Sequence, residues 1–198
     1  MPAPIVQPGQ MSYEEFLEAY EGTRAEWVRG EVVPMTPVAP RYQLIANYLI
    51  SLFQLFCERH GAGTVLSAPV QMKVDDVARE PDVMVVVPEH AHRIKPTRVE
   101  GPADLVVEII SPESRGRDRG DKFYEYEQAG IREYWLLDPQ RERAEFYGLD
   151  ERGVYRVLAV SDGRFESTVL VGLWLRAEWL WLEPLPPLMP VLREWGLV

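Results

Sequence analysis

Between residues 41 and 59, Leu44, Ile45, Tyr48, Leu49, Leu52, Phe53, Leu55 and Phe56 recur at helical spacing. They predict a long helix stopped by His60-Gly61. Ser12-Tyr13-Glu14-Glu15 has the form of a capping box and predicts a short helix reaching about Tyr20. The stretch from Glu26 to Val33 reads as a hairpin turning at Arg29-Gly30, after which Pro34, Pro37 and Pro40 break the pattern. Strands are expected over residues 64–73, before an Asp75-Asp76 turn, and over residues 82–87. Residues 90–102 read as a polar connection. A further strand ends at Ser111-Pro112, and a helix over about 117–129 is stopped by Gly130. Residues 133–137 predict a strand, and residues 144–147 and 154–160 an antiparallel meander. The Trp-rich tail around Trp174, Trp179, Trp181 and Trp195 reads as a strand edge with one or two short helices packed on the sheet. The alternation of helices and strands predicts an α/β (α+β) fold, one central mixed sheet flanked by helices in a single domain.

One residue is out of keeping with this pattern. In Asp104-Leu105-Val106-Val107-Glu108-Ile109-Ile110, apolar residues flank Glu108 on both sides, so the strand is expected to be buried on both faces. An ionised carboxylate is seldom buried without a partner, because losing its hydration costs several kcal/mol or more, on the order of 5. Either the Glu108 carboxyl is neutral or a cation meets it.

Two other residues are candidates to share its surroundings. Asp82 opens the apolar strand Asp82-Val83-Met84-Val85-Val86-Val87, and Lys122 lies just after Glu108 in Arg119-Gly120-Asp121-Lys122-Phe123. Residue 110 shares the face of residue 108, but it is Ile110 and can neither ligate a metal nor offset charge. Carboxylates suit magnesium or manganese, hard cations that prefer oxygen donors. Asp82 and Glu108 with such an ion, and Lys122 to position or deprotonate the attacking water or to neutralise charge on the phosphate, form a minimal kit for phosphodiester hydrolysis. Without the metal, desolvation and repulsion from Asp82 are expected to raise the pKa of Glu108. The bland alternative is a structural Glu108–Lys122 ion pair, with Asp82 as a turn residue.

Composition narrows the possibilities. The 198 residues are 46% hydrophobic and 26% charged, enough for one large core, and the net charge of −10 argues against a surface coated for nonspecific DNA binding. The longest apolar runs are too short to cross a bilayer, and the start Met1-Pro2-Ala3-Pro4 lacks signal-peptide character. The lone Cys57 fits a reducing cytoplasm. His90 and His92 lack further ligands for zinc, Ser111 and Ser114 lack a nucleophile elbow, and no glycine-rich phosphate loop is present. Arg93, Lys95, Arg98, Arg115, Arg117 and Arg119 flank the Glu108 strand. They read either as a phosphate-binding rim or as surface partners of Glu100, Asp118 and Asp121.

Taken in order, several segments resemble the Uma family of restriction endonucleases within the PD-(D/E)XK nuclease superfamily. These are Glu26-Trp27-Val28-Arg29-Gly30-Glu31, Pro81-Asp82-Val83, the stretch from Pro102 to Pro112, Arg117-Asp118-Arg119-Gly120-Asp121-Lys122, Tyr126, Gly130, Glu133-Tyr134-Trp135 and Asp138-Pro139. The resemblance spans roughly residues 12–185. It implies a restriction-endonuclease-like core with the active site at a splayed strand pair, Asp82 and Glu108 as ligands of Mg or Mn, and Lys122 as the superfamily lysine moved off the strand. Glu26 matches an acidic family position, read as an accessory ligand or as a hairpin residue beside Gly30. Tyr126, one turn after Lys122, lines the site or packs in the core. Where relatives carry a histidine and a glutamine at the start of the second helix, this chain has Arg41-Tyr42-Gln43, so Arg41 is expected to take over phosphate recognition next to Gln43. Arg117 and Arg119 complete the expected DNA contacts. Duplex cleavage needs two sites, which implies a homodimer or higher homo-oligomer. The competing class is a non-catalytic scaffold for protein interactions, in which Glu108 and Lys122 form a dry pair and magnesium changes nothing.

Overall fold

The computed structural model describes residues 11–37, 39–112 and 114–198. The Met1-Pro2-Ala3-Pro4 start lies outside the described residues. The strands form two main sheets where the sequence pattern suggested one. The five-stranded sheet contains β1 (Ala25–Val28), β2 (Glu31–Pro34), β4 (Gln71–Val74), β5 (Val77–Arg79) and β7 (Arg98–Glu100), in the order β2-β1-β5-β4-β7. The six-stranded sheet contains β3 (Thr64–Ser67), β6 (Val83–Val86), β8 (Leu105–Ile109), β9 (Glu133–Asp138), β10 (Arg143–Leu149) and β11 (Tyr155–Val157), in the order β11-β10-β9-β8-β6-β3. β8 and β9 run parallel and the other neighbours in this sheet are antiparallel, so the sheet is mixed.

The helices cover these sheets. Helix α1 (Tyr13–Ala19) starts at the expected capping box, in which Ser12 Oγ accepts from the Glu15 N–H and Glu15 accepts from the Ser12 N–H. Arg29 and Gly30, both with positive φ, make the predicted β1–β2 turn. Helix α2 (Pro40–His60) buries Ile45, Leu49, Leu52, Phe53 and Phe56 against the sheet face that carries Val83, Val85, Leu105, Val107 and Ile109. The opposite face carries Met84, Val86, Val106, Ile110 and Tyr134 and packs against Tyr126. The period-two alternation of β6 and β8 thus serves two cores and places Glu108 on the second face, between Val106 and Ile110.

Several expected elements are subdivided. Residues 64–73 form two strands in different sheets, because Pro69 has no N–H to continue a ladder. The polar connection contains a 3-10 turn (Pro88–Arg93) and the edge strand β7. The helix expected over 117–129 is α3 (Arg115–Arg119) followed by α4 (Asp121–Ala129). They meet at Gly120, where a Cβ would lie 2.8 Å from the Gly116 carbonyl oxygen. The tail forms its own hairpin, β12 (Arg164–Glu166) with β13 (Trp174–Arg176), then a 3-10 turn (Ala177–Trp181) and α5 (Leu188–Glu194). Phe165, Leu175, Leu180 and Leu192 of this tail join the α2 core, so the apolar tail residues serve packing.

Among the connections between the two sheets is Glu80-Pro81-Asp82, which carries the chain from β5 into β6. Asp82 therefore stands where the sheets diverge.

Candidate active site

Five sequence-predicted residues meet at this divergence, Asp82, Glu108, Lys122, Glu26 and Tyr126. β6 and β8 pair Val83 with Val107, so the next positions outward, Asp82 and Glu108, face each other across the strands. The Ile109 N–H donates to Asp82 Oδ2 at 2.7 Å and fixes that carboxyl. From α4, Lys122 Nζ reaches Glu108 Oε1 at 3.0 Å and Glu26 Oε1 at 3.3 Å. Glu26 arrives from β1. One turn beyond Lys122, the Tyr126 hydroxyl donates to Glu108 Oε1 at 2.7 Å. The Tyr126 ring lies in the core and its hydroxyl holds Glu108. Lys122 is 4% exposed, where a helix lysine would ordinarily be solvated.

The site also contains residues that the sequence pattern did not single out. Asp118 is buried, with Oδ1 3.5 Å from Lys122 Nζ, and belongs to the cleft rather than to the surface. Its spacing of four from Lys122 was the available signal. Arg79 is buried and donates from Nη1 to Glu26 Oε2 at 2.9 Å and from Nη2 to Glu125 Oε2 at 2.7 Å. The Glu80 N–H donates to Glu26 Oε1 at 3.1 Å. Glu26 is thus oriented from two sides by β5 and its exit.

This packing leaves an excess of negative charge. Glu26, Asp82, Glu108 and Asp118 surround one lysine, while Arg79 is shared between Glu26 and Glu125. Burial first, then repulsion from Asp118, Asp82 and Glu26, pushes the Glu108 carboxyl up to about 8 against the pull of Lys122. Burial likewise pushes Asp82 up to about 6, opposed by the Ile109 N–H and Lys122. Burial alone would depress the Lys122 ammonium, but Glu108, Glu26, Asp118 and Asp82 outweigh it and hold the pKa above the ordinary lysine value. Glu26 ends below its ordinary value, because Lys122 and Arg79 overcome its desolvation.

Glu26, Asp82, Glu108, Asp118, Lys122 and Arg117 line a cleft of about 40 Å³. Among the described residues, no three Asp, Glu, His or Cys side chains form a ready cage for a metal ion. The donor set still fits magnesium or manganese. Such ions use one or two carboxylates and keep water or phosphate for the remaining positions, and the buried carboxylate excess calls for a cation or a proton.

The remaining candidates are dispersed. Arg41 donates to the Leu180 carbonyl at 2.8 Å and pairs with Glu183, and Gln43 is exposed and bonded to Asn47. Neither lines the cleft. Arg119 pairs with Glu145 at 2.7 Å, Arg115 with Asp138, and Arg98 with Glu100. Arg117 lines the cleft and has no ion pair among the described residues. His90 bonds to Asp104, whereas Ser111 and Ser114 line the cleft and bond to each other.

The profile of a family described as "Uma2: Putative restriction endonuclease" matches residues 13–178. The solved structure of a putative nuclease belonging to DUF820 from Anabaena variabilis is similar, with a TM-score of 0.70 and 16% sequence identity, covering 85% of this chain and 96% of that chain. At that identity the likeness establishes the fold, a nuclease-like mixed α/β architecture. No curated protein matches the chain.

Proposed function

The chain belongs to the Uma2 family, and from that premise we propose that it is a metal-dependent DNA endonuclease with Asp82, Glu108 and Lys122 at its centre. The observation that carries this reading is the meeting of Asp82 and Glu108 on adjacent strands with Lys122 Nζ 3.0 Å from Glu108, at the point where the two sheets part.

Asp82 and Glu108 would hold the magnesium or manganese ion, with Asp118 or Glu26 as an accessory donor. The bound ion would polarise the phosphate and lower the pKa of the attacking water. Tyr126 and the Ile109 N–H fix the two carboxylates, which limits the reorganisation needed on binding. Lys122 stays protonated among its carboxylates, so its role is to offset charge on the attacked phosphate rather than to take a proton from water. Arg117, on the cleft wall with no protein counter-ion among the described residues, supplies a phosphate contact. The working form under this reading is a cytoplasmic homo-oligomer, since cutting both strands of a duplex takes two sites.

The test is cleavage of supercoiled plasmid in magnesium and in manganese, alongside calorimetric titration of each metal into the metal-free protein. Nicking and metal binding by the wild type, both lost in Asp82→Asn and Glu108→Gln with unchanged circular dichroism, are the expected results. A second reading has its own support: in the metal-free fold Glu108 and Lys122 form the dry pair expected of a non-catalytic interaction scaffold. Absence of metal binding with and without DNA would establish the scaffold in place of the nuclease.

A further inference from the structure

Ser111 and Ser114 line the carboxylate cleft together with Arg117, and the reaction proposed above leaves both hydroxyls without a role. They stand on the segment that carries the chain from β8 into α3. Both are half-buried, so neither side chain is sealed off from the cleft.

Their hydrogen bonds can be counted. The Ser111 N–H donates to Ser114 Oγ at 3.0 Å, and the Ser114 N–H donates to Ser111 Oγ at 3.1 Å. Each hydroxyl oxygen is thus fixed by one backbone donor, and each still has one proton to give. Ser111 Oγ lies 3.1 Å from Ser114 Oγ and gives its proton there. The Ser114 proton is then left with the Ser111 carbonyl, at 3.4 Å. Hydroxyl donors ordinarily sit about 2.5–3.0 Å from their acceptors, so the first contact lies near that range and the second well outside it. Of the two hydroxyls, Ser114 is the donor without a good acceptor.

Ser114 and Arg117 are three residues apart, the spacing that brings side chains to one side of a helical turn. Arg117 has no ion pair among the described residues. A neutral donor and a guanidinium therefore share a cleft whose other polar lining is largely the carboxylates of Glu26, Asp82, Glu108 and Asp118. Carboxylates suit a metal ion, whereas a hydroxyl proton and a guanidinium suit the oxygens of a phosphate. We infer that Ser114 is a phosphate-binding residue of this cleft. Its hydroxyl donates, beside Arg117, to a non-bridging oxygen of the phosphodiester brought to Asp82 and Glu108. Ser111 is a positioning residue, whose N–H and hydroxyl both point at Ser114 Oγ and leave the Ser114 proton to the ligand. The inference rests on the endonuclease reading and adds to it a neutral group that seats the phosphate.

The neutrality of the hydroxyl gives it a signature that Arg117 lacks. Its loss removes a hydrogen bond without changing the number of counterions released, so affinity should fall equally at every salt concentration. A phosphate contact also carries no sequence information. The test is anisotropy titration of two short duplexes of unrelated sequence, in calcium and across a salt series, with plasmid nicking in magnesium measured on the same proteins. Ser114→Ala should weaken both duplexes about tenfold, with the salt slope and the metal affinity unchanged. Ser114→Thr, which keeps a hydroxyl, should restore most of the binding, and Ser111→Ala should cost less than Ser114→Ala. In the Arg117→Ala background the loss from Ser114→Ala should shrink, because both groups hold one phosphate. Wild-type affinity in Ser114→Ala, Ser114→Thr as weak as Ser114→Ala, or a parallel loss of metal affinity would overturn the assignment, the last by making the serine pair structural. No duplex binding by the wild type would overturn it as well. Nicking that Ser114→Ala leaves unchanged at limiting DNA would overturn the assignment alone. Hydroxyl-dependent binding without nicking would uphold it and count against the nuclease.

Discussion

Lys122 Nζ sits 3.0 Å from Glu108 Oε1 although the two are fourteen residues apart and on different elements, a strand and a helix. Position 110, which shares the face of Glu108, is occupied by Ile110, which is fully buried in the cluster that includes Met84, Val106 and Tyr134. The cation is delivered instead from α4, and Asp118, four residues earlier at the end of α3, shares the cleft with it across the junction at Gly120. Removing the lysine charge leaves Glu108, Glu26 and Asp118 without it. Lys122→Met should therefore destabilise the metal-free protein by about 3–5 kcal/mol. At pH 9, where the Glu108 carboxyl raised to about 8 is ionised beside Lys122, the double variant Lys122→Met/Glu108→Gln should recover part of that loss, because one buried charge goes with the other. Urea unfolding of the two variants and the wild type measures this, and equal stability of the single and double variants would contradict the coupling.

The protonation of Glu108 gives the protein a pH dependence of defined sign. Its carboxyl titrates near 4.5 ordinarily and is pushed up to about 8 in the fold, chiefly by burial. Between those values the folded metal-free protein holds a proton that the unfolded chain has released, so its stability falls as pH rises through this window. Asp82, raised to about 6, acts in the same direction over the lower part of the range. Lys122 is protonated throughout this range in both states, so it leaves the slope unchanged. Metal binding needs the ionised carboxylates, so uptake at pH 7 should release about one proton. Calorimetry in buffers of different ionisation enthalpy should show that release in the wild type and its loss in Glu108→Gln. Buffer-independent heats in the wild type would rule it out.

Much of the site was legible in the sequence because its residues violate the pattern around them. A glutamate in an apolar strand, an aspartate opening another, and a lysine followed one turn later by Tyr126 all converge in the fold. The strands that carry Asp82 and Glu108 were also readable from alternation. The division into two sheets was not, since β1–β5 pairing joins residues about fifty positions apart and has no local signature. Arg79 was missed for the same reason: within Val77-Ala78-Arg79 it reads as an ordinary strand residue, and its partners Glu26 and Glu125 come from elsewhere. Arg41 reads as a free helix-start cation until the tail folds back and presents the Leu180 carbonyl and Glu183.

Arg79 is expected to act on the site through Glu26. Its planar fork contacts two buried carboxylates at 2.9 and 2.7 Å, which a lysine cannot reproduce. Arg79→Lys should cost about 2–4 kcal/mol in stability, within the range for a damaged buried network. Arg29, already 3.2 Å from Glu125, offers that carboxylate partial compensation, so Glu26 should be the more affected partner. A thermal melt checks the loss, and a midpoint unchanged from the wild type would remove Arg79 from the support of the site.

Tyr126→Phe separates the hydroxyl from the ring. The ring would keep its edge-on contact with Tyr134 at 5.3 Å, while Glu108 loses the 2.7 Å hydrogen bond that orients it. Partners that fix a metal-binding carboxylate contribute roughly 10- to 100-fold in metal affinity. Magnesium or manganese affinity should fall about tenfold in this variant, with a stability change of about 1 kcal/mol for the lost hydrogen bond. Metal titration alongside urea unfolding measures both, and unchanged metal affinity would confine Tyr126 to packing.

Arg117 and Arg119 lie on the same short helix but differ in their engagement. Arg119 is tied to Glu145 at 2.7 Å, and this pair in turn holds the Glu145 carboxyl below its ordinary range against the effect of its burial. Arg117 faces the cleft with no ion pair among the described residues. A cation committed to a protein carboxylate has little to offer a phosphate, whereas one left on a cleft wall releases a DNA counterion when a phosphate meets it. Arg117→Ala should therefore weaken DNA binding, lower the dependence of log affinity on log salt by about one unit, and leave metal affinity and folding stability unchanged. Arg119→Ala should leave the salt dependence as it is. Anisotropy titrations of duplex DNA across a salt series test both variants together, and an equal loss in the two would mean that charge on α3 acts collectively rather than through the cleft.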